Sequence, residues 1–281
     1  MTMDNESGRA FSNARIKLMA GDVSKVQDQQ VFRSNATLSL GGMVGGTQPA
    51  VTEKAFDDYH LYSLANPTTL RDREVKQVEF TRAANVPSKV IYVYDGVQID
   101  ANQYNGYDYN NIRNTPQYGT LSNTKVFTVR EFVNSAANGL GVPLPKGRMR
   151  FYRRDTDGQL EFIGESDIDH TPKDETVRVY TGNAFDLTGD RKQTSFAVDN
   201  QKSTVDESFA VTLHNHKTTP AEIRVVEHLY RGINWAISAK TAAFLKTDAH
   251  TLEFRATLAP NEERTINYTV HYTWQELPRS S

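Results

Sequence analysis

From Arg264 to Trp274 the chain alternates without a fault. Ile266, Tyr268, Val270, Tyr272 and Trp274 share one face of an extended strand, while Thr265, Asn267, Thr269, His271 and Thr273 share the other. A helix would scatter these residues around its circumference, whereas a strand with one buried face gathers them. Upstream, Leu252, Phe254, Ala256 and Leu258 alternate with Glu253 and Arg255 in the same way. The turn chemistry of Ala259 to Glu262 between the two runs predicts an antiparallel hairpin with one buried face.

The same period of two recurs along the chain. It predicts strands over Ala14–Ala20, Phe56–Leu64, Val75–Phe80, Val90–Tyr94, Lys125–Val133, Val177–Tyr180, Phe185–Leu187, Ser208–His216 and Ala221–Tyr230. Arg148–Arg153 is expected to pair with Leu160–Ile163 across a turn at Asp155–Gly158. No window keeps a 3.6-residue apolar period for three turns, and only Ala236–Leu245 has room for a short helix. The reading is an all-β protein of antiparallel β-sandwich units, the C-terminal one immunoglobulin-like. A β-rich sandwich domain with long loops is expected over 1–176, an immunoglobulin-like sandwich over 177–274 and a polar tail over 275–281. Strand pattern already under way at the first residues suggests that the first domain lacks sequence upstream.

Composition removes several function classes. The net charge of −2 comes from 32 basic and 34 acidic residues, well mixed, which supplies no field for nucleic acid or an anionic membrane. No apolar run is long enough to span a bilayer, so membrane insertion is not expected, and the N-terminus lacks the pattern of a signal peptide. With no cysteine there are no disulfides, thiolate metal sites or cysteine nucleophiles.

Few stretches carry chemistry. His214 and His216 share a strand face and could hold two positions on a metal, with Glu222 and Arg224 expected opposite them across a hairpin turn at Lys217–Pro220. Glu227 and His228 interrupt an apolar strand, which points to a buried polar network satisfied by a neighbour such as an arginine. Asp167 and Asp169, beside His170, have the spacing of a shared acid and base but lie on one strand, where no cleft forms between them. Asp155, Asp157 and Gly158 resemble the start of a calcium loop, yet the glycine comes too early and Gln159 takes an acidic position, so a hairpin turn is expected. The glycines from Gly41 to Gly46 lack the Gly-Lys-Ser/Thr or helix opening of a phosphate loop and read as a linker.

Between Val97 and Asn123 the composition turns to asparagine, tyrosine and glutamine, in what reads as a long exposed loop or a ragged hairpin. Tyr92 and Tyr94 belong to the preceding strand. Tyr104, Tyr107, Tyr109 and Tyr118, interleaved with asparagines, have the make-up of a contact surface, because tyrosine offers large area at small entropic cost and asparagine offers adaptable hydrogen bonds.

Asp4-Asn-Glu-Ser-Gly8, Asp58-Tyr-His-Leu-Tyr62, Pro67-Thr-Thr-Leu70, Leu140-Gly-Val-Pro-Leu-Pro-Lys-Gly147, Asp169-His-Thr-Pro-Lys173, Gly182-Asn-Ala-Phe-Asp186, Glu227-His-Leu-Tyr-Arg231 and Tyr272-Thr-Trp274 follow one another over nearly the whole chain. In that order they resemble the bacterial conserved-domain family of unknown function related to the mucoidy inhibitor A proteins. The resemblance implies bacterial origin, a C-terminal β-sandwich, a parent protein that is exported to the periplasm or beyond, and a missing N-terminal portion. It brings no activity and no catalytic residues. The expected function is therefore a non-catalytic interaction or structural module that meets a protein or a glycan through its loops, without a cofactor. The alternative is a metal-assisted hydrolase using His214, His216 or the Glu227–His228 pair.

Overall fold

The computed structural model describes residues 1–20, 38–39, 51–56 and 59–274. The glycines from Gly41 to Gly46, Asp58 and the 275–281 tail lie outside these. In chain order the elements are β1 (Thr2–Asn5), β2 (Phe11–Ala14), β3 (Lys17–Ala20), β4 (Leu38–Ser39), β5 (Val51–Phe56), β6 (Tyr59–Leu64), β7 (Thr68–Leu70) and β8 (Glu74–Gln77). Then come β9 (Lys89–Asp95), β10 (Val97–Gln98), helix α1 (Tyr109–Asn114), β11 (Leu121–Ser122), β12 (Lys125–Val133), β13 (Gly147–Arg154) and β14 (Leu160–Ile168). The chain closes with β15 (Thr176–Asp199), β16 (Thr204–Asn215), β17 (Ala221–His228), β18 (Trp235–Lys240), β19 (Phe244–Lys246), β20 (Thr251–Leu258) and β21 (Glu263–Thr273). The class is all-β, as the period of two demands, and antiparallel pairing dominates.

Two compact units share the chain, and they interleave. One is Met1–Lys89 with Glu131–Val179; the other is Val90–Arg130 with Tyr180–Ser281. β9 pairs in parallel with β17, far away in sequence, and Val90–Arg130 belongs with the C-terminal strands.

The first unit has small sheets and a small core, in which Phe132, Val177 and Val179 are buried against Met149, Phe151 and Ile168. Buried side-chain amides hold its loops. Asn134 Nδ2 donates to Val142 O at 2.8 Å and Pro172 O at 2.9 Å, and Asn5 Nδ2 donates to Arg9 O at 2.7 Å and Arg71 O at 2.8 Å.

The second unit is built on a nine-stranded sheet in the order β18-β21-β16-β15-β12-β9-β17-β20-β19. Inward residues from both ends of that order, Phe209, Ile266 and Tyr268 from β16 and β21, Ile223, Leu252 and Phe254 from β17 and β20, join a single core. The expected β20–β21 hairpin does not exist. β20 pairs with β17 and β19, β21 pairs with β16 and β18, and the Phe254 and Tyr268 rings lie 5.5 Å apart in the shared core. Likewise β16 does not turn back onto β17; it pairs with β15 and β21. Asn215 explains both departures. Buried at the end of β16, its Nδ2 donates to Thr219 O at 3.1 Å in one connection and to Leu258 O at 3.2 Å and Ala259 O at 2.9 Å in the other. One amide thus ties two connections, each of which joins strands that do not pair with each other.

The short helix allowed over Ala236–Leu245 is also absent. Trp235 and Ile237 pack against the core from β18, and Phe244 does so from β19, so tertiary burial overrides the alanines' helical preference.

Candidate functional site

Of the two readings of the tyrosine-rich stretch, the structure comes nearer to the ragged hairpin. β10 pairs with β11 at its base, and α1 opens on a reciprocal cap in which Asp108 Oδ1 accepts from Asn111 N at 2.8 Å and Asn111 Oδ1 accepts from Asp108 N at 3.2 Å. Beneath the stretch lie two buried arginines. Arg231 donates through Nη1 to the carbonyls of Ile112 and of Thr115 (3.0 Å), and through Nη2 to Tyr118 O at 2.9 Å. Arg191 Nη1 donates to Gly119 O at 3.0 Å, and Gln193 Nε2 donates to Pro116 O at 3.0 Å.

Each arginine is neutralised from inside the sheet. Arg191 Nε meets Glu227 Oε2 at 2.8 Å, and Tyr268 Oη donates to the same oxygen at 2.6 Å. Arg231 meets Glu207 through Nε at 3.1 Å and Nη2 at 2.8 Å. The guanidiniums also lie over aromatic faces, Arg191 3.7 Å from the Phe209 centroid and Arg231 4.7 Å from that of Phe196. Burial alone would ease the proton off Arg191, but Glu227 and Tyr268 hold its pKa above the ordinary value. Burial, and then the Glu227 charge, push the Tyr268 phenol well up, so it stays a donor. The buried polar network anticipated around Glu227 is therefore present: Arg191 and Tyr268 both take Oε2, while the buried Oε1 has no hydrogen-bond partner.

Tyr94 fastens the return of the stretch. Its hydroxyl donates to Asn123 O at 2.8 Å, and its ring lies against Gly189 so closely that a Cβ there would come within 2.3 Å of it.

The four tyrosines divide into two roles. Tyr104 is buried, donates to Gln117 O at 2.8 Å and packs edge-on against Tyr107 and Tyr118, with centroids 5.2 and 5.0 Å away. It belongs to the interior of the stretch and not to a contact surface. Tyr118 carries Arg231 beneath its ring, 5.6 Å from the centroid. Tyr107 is 37% exposed and Tyr109 80% exposed. The outward face is thus Tyr107 and Tyr109 with the asparagines beside them, held on a rigid base.

Next to it is a hollow of about 10 Å³, lined by Tyr118, His228, Tyr230 and Arg231 among others, with room for about one water. His228 forms the wall by bridging strands. Its Nε2 lies 3.1 Å from Asp95 Oδ2 on β9, its Nδ1 3.3 Å from Thr251 Oγ1 on β20, and its ring stacks on Tyr230 at 5.2 Å. The hydrogen bond to Asp95 raises the imidazole pKa against the opposing effect of burial, with Glu227 and Asp248 adding to the rise.

The remaining candidates are separate from this region or occupied. His214 and His216 stack in parallel 5.9 Å apart, but the residues opposite His214 are Thr188 and Glu263, not Glu222 and Arg224. Among the described residues, no three His, Asp or Glu side chains are grouped to hold a metal ion. Asp167 pairs with Arg148 at 3.2 Å, Asp169 with Lys146 at 3.1 Å, and His170 Nδ1 accepts from Lys146 N at 3.2 Å. Asp155 to Gly158 form the β13–β14 turn.

Sequence reasoning missed Arg191, Glu207 and Asp95. The first two had a signal: Glu207 falls in phase with Val205, Phe209 and Val211, and Arg191 with Leu187, so each is a charge at an inward position of an alternating strand. Asp95 had none, because its partner depends on the parallel β9–β17 pair. No family model, no curated protein and no solved structure matches this chain.

Proposed function

We propose that this protein is a non-catalytic recognition module that meets a protein or a glycan through the outward face of residues 97–123. One observation carries the reading. The buried Arg231 and Arg191 receive the carbonyls of Ile112, Thr115, Tyr118 and Gly119, and the half-buried Gln193 receives that of Pro116, so the segment that exposes Tyr107 and Tyr109 is ordered before any partner arrives. Preorganisation of that kind removes the entropic cost that usually weakens binding by loops. The adjoining hollow is too small for an organic substrate, which favours a contact surface over a reaction chamber. Among the described residues no helix is long and apolar enough to cross a membrane.

On this reading the nine-stranded sheet acts as a β-sandwich of immunoglobulin-like kind, the connections tied by Asn215 setting the two layers face to face and its inserted segment serving as the binding loop. The motifs from Asp4 to Trp274 support placing the chain in an exported bacterial protein related to the mucoidy inhibitor A group, and the balanced charge argues against a nucleic-acid partner. Screening against glycan and peptide arrays, with the Tyr107→Ala/Tyr109→Ala variant beside the parent, tests it. Retained thermal stability with loss of every array signal is the expected result. Signals of equal strength from both proteins would overturn the reading.

A further inference from the structure

A different surface, in the first unit, carries an inference that does not depend on the recognition loop. β13 and β14 form a hairpin that, among the described residues, pairs with no third strand. Charge is sorted between its strands. β13 carries Arg148, Arg150, Arg153 and Arg154 and no carboxylate, while β14 carries Glu161, Glu165 and Asp167 and no cation. The register sets Arg148 against Asp167, Arg150 against Glu165 and Arg153 against Glu161. Arg148 Nε lies 3.2 Å from Asp167 Oδ1, and Arg150 Nε 3.2 Å from Glu165 Oε2. Tyr152 opposes Phe162 with centroids 5.7 Å apart, and these rings stand 49% and 54% exposed beside the exposed Leu160.

An edge strand offers its unpaired amides and carbonyls to any strand that fits. Here the charges decide which strand fits. Two copies meeting about a two-fold axis, β13 on β13 or β14 on β14, would set arginine among arginines or carboxylate among carboxylates, which is unfavourable. β13 of one copy against β14 of another repeats the pairing that the hairpin already makes within itself, and a carboxylate has acceptor sites to spare for a second arginine. We infer that copies of this chain associate head to tail through these hairpins, the basic strand of one lying along the acidic strand of the next. Such a contact is heterologous, so it extends without closing into a dimer.

The bulge limits its strength. The register passes from Phe151 opposite Gly164 to Tyr152 opposite Phe162, which leaves Ile163 unmatched and interrupts the free edge of β14. The added strand therefore runs along Gly164–Ile168, and the Tyr152 and Phe162 rings beyond the bulge extend the contact. An interface of that length is weak and salt-sensitive.

Sedimentation velocity of the full chain, from low micromolar to near millimolar concentration, reads this directly. The expected result is a weight-average mass that climbs past the dimer without a plateau and falls back in about 1 M salt. The fourfold variant Arg148→Glu, Arg150→Glu, Glu165→Arg, Asp167→Arg keeps opposite charges facing within the hairpin. It should associate with itself as the parent does. A parent that stays monomeric, a discrete dimer, or a folded fourfold variant that no longer associates would each overturn the inference. If the fourfold variant loses its strand signal in circular dichroism, Phe162→Lys at an exposed position decides instead. At least a tenfold weaker self-association supports the contact, and an unchanged one refutes it.

Discussion

The tyrosine-rich stretch and the β13–β14 hairpin are both excursions held by arginine and carboxylate, yet they are held in opposite dielectric settings. Under the first, Arg191 and Arg231 are 4% and 3% exposed, and their partners Glu227 and Glu207 are buried too. On the second, Arg148 and Arg150 bind the same kind of partner at similar distances while facing water. Buried, a charge stripped of its partner is costly, so the interaction enforces one arrangement; at the surface, water replaces a lost partner and the same geometry contributes little. The fold reserves the first use for the segment whose carbonyls the two arginines hold. The comparison teaches that bond length does not measure what an ion pair does.

Arg231→Met should sharpen the contrast most. It leaves Glu207 buried without its cation and frees three carbonyls of the stretch, so a loss of about 3–5 kcal/mol in stability is expected. Urea titration followed by tryptophan fluorescence checks it, since Trp235 and Trp274 both lie in the second unit. Adding Glu207→Gln should restore part of the loss, and a double variant no more stable than the single one would break the argument.

His228 stands between the two settings, half-buried and paired to Asp95. Its folded pKa is raised, so the stability it adds is fully present below the unfolded value near 6.5 and is lost as pH rises through the folded value. Stability of the second unit should therefore fall above about pH 6.5 by an amount that vanishes in His228→Gln. An identical pH profile in that variant would assign the dependence elsewhere. The smallest effect belongs to the hairpin, where Arg148→Ala should leave the thermal midpoint nearly unchanged, the more so at high salt. A loss as large as that of Arg231→Met would erase the contrast altogether.

How far the sequence could be read follows from the same physics. Alternation in β16, β17, β20 and β21 names the inward face correctly, because period depends only on the strand itself. Choice of partner does not. Nothing local to Ala259–Glu262 distinguishes a hairpin from a connection between strands that do not pair, since the group that holds it, Asn215, lies far back in the chain. The site was legible in part for the same reason. Glu227 stood out as a polar residue in an apolar run, and Tyr109 was rightly placed outside; Tyr104 was misplaced because its burial is made by Tyr107, Tyr118 and the Gln117 carbonyl, all within a segment of no period.

The parallel pairing of β9 with β17 also sets a timetable for synthesis. Tyr92 lies opposite Ile223 and Asp95 opposite Val226. At roughly 5–20 residues per second, a ribosome takes on the order of ten seconds to pass from one to the other. For that interval the segment from Val90 to Arg130 exists without the strand that completes it, and Arg191 and Arg231, which fasten its carbonyls, have yet to be made when it emerges. The nascent chain therefore carries an apolar strand and its tyrosines uncovered until late. The second unit can close only after β21, at the far end of the described chain, has left the exit tunnel.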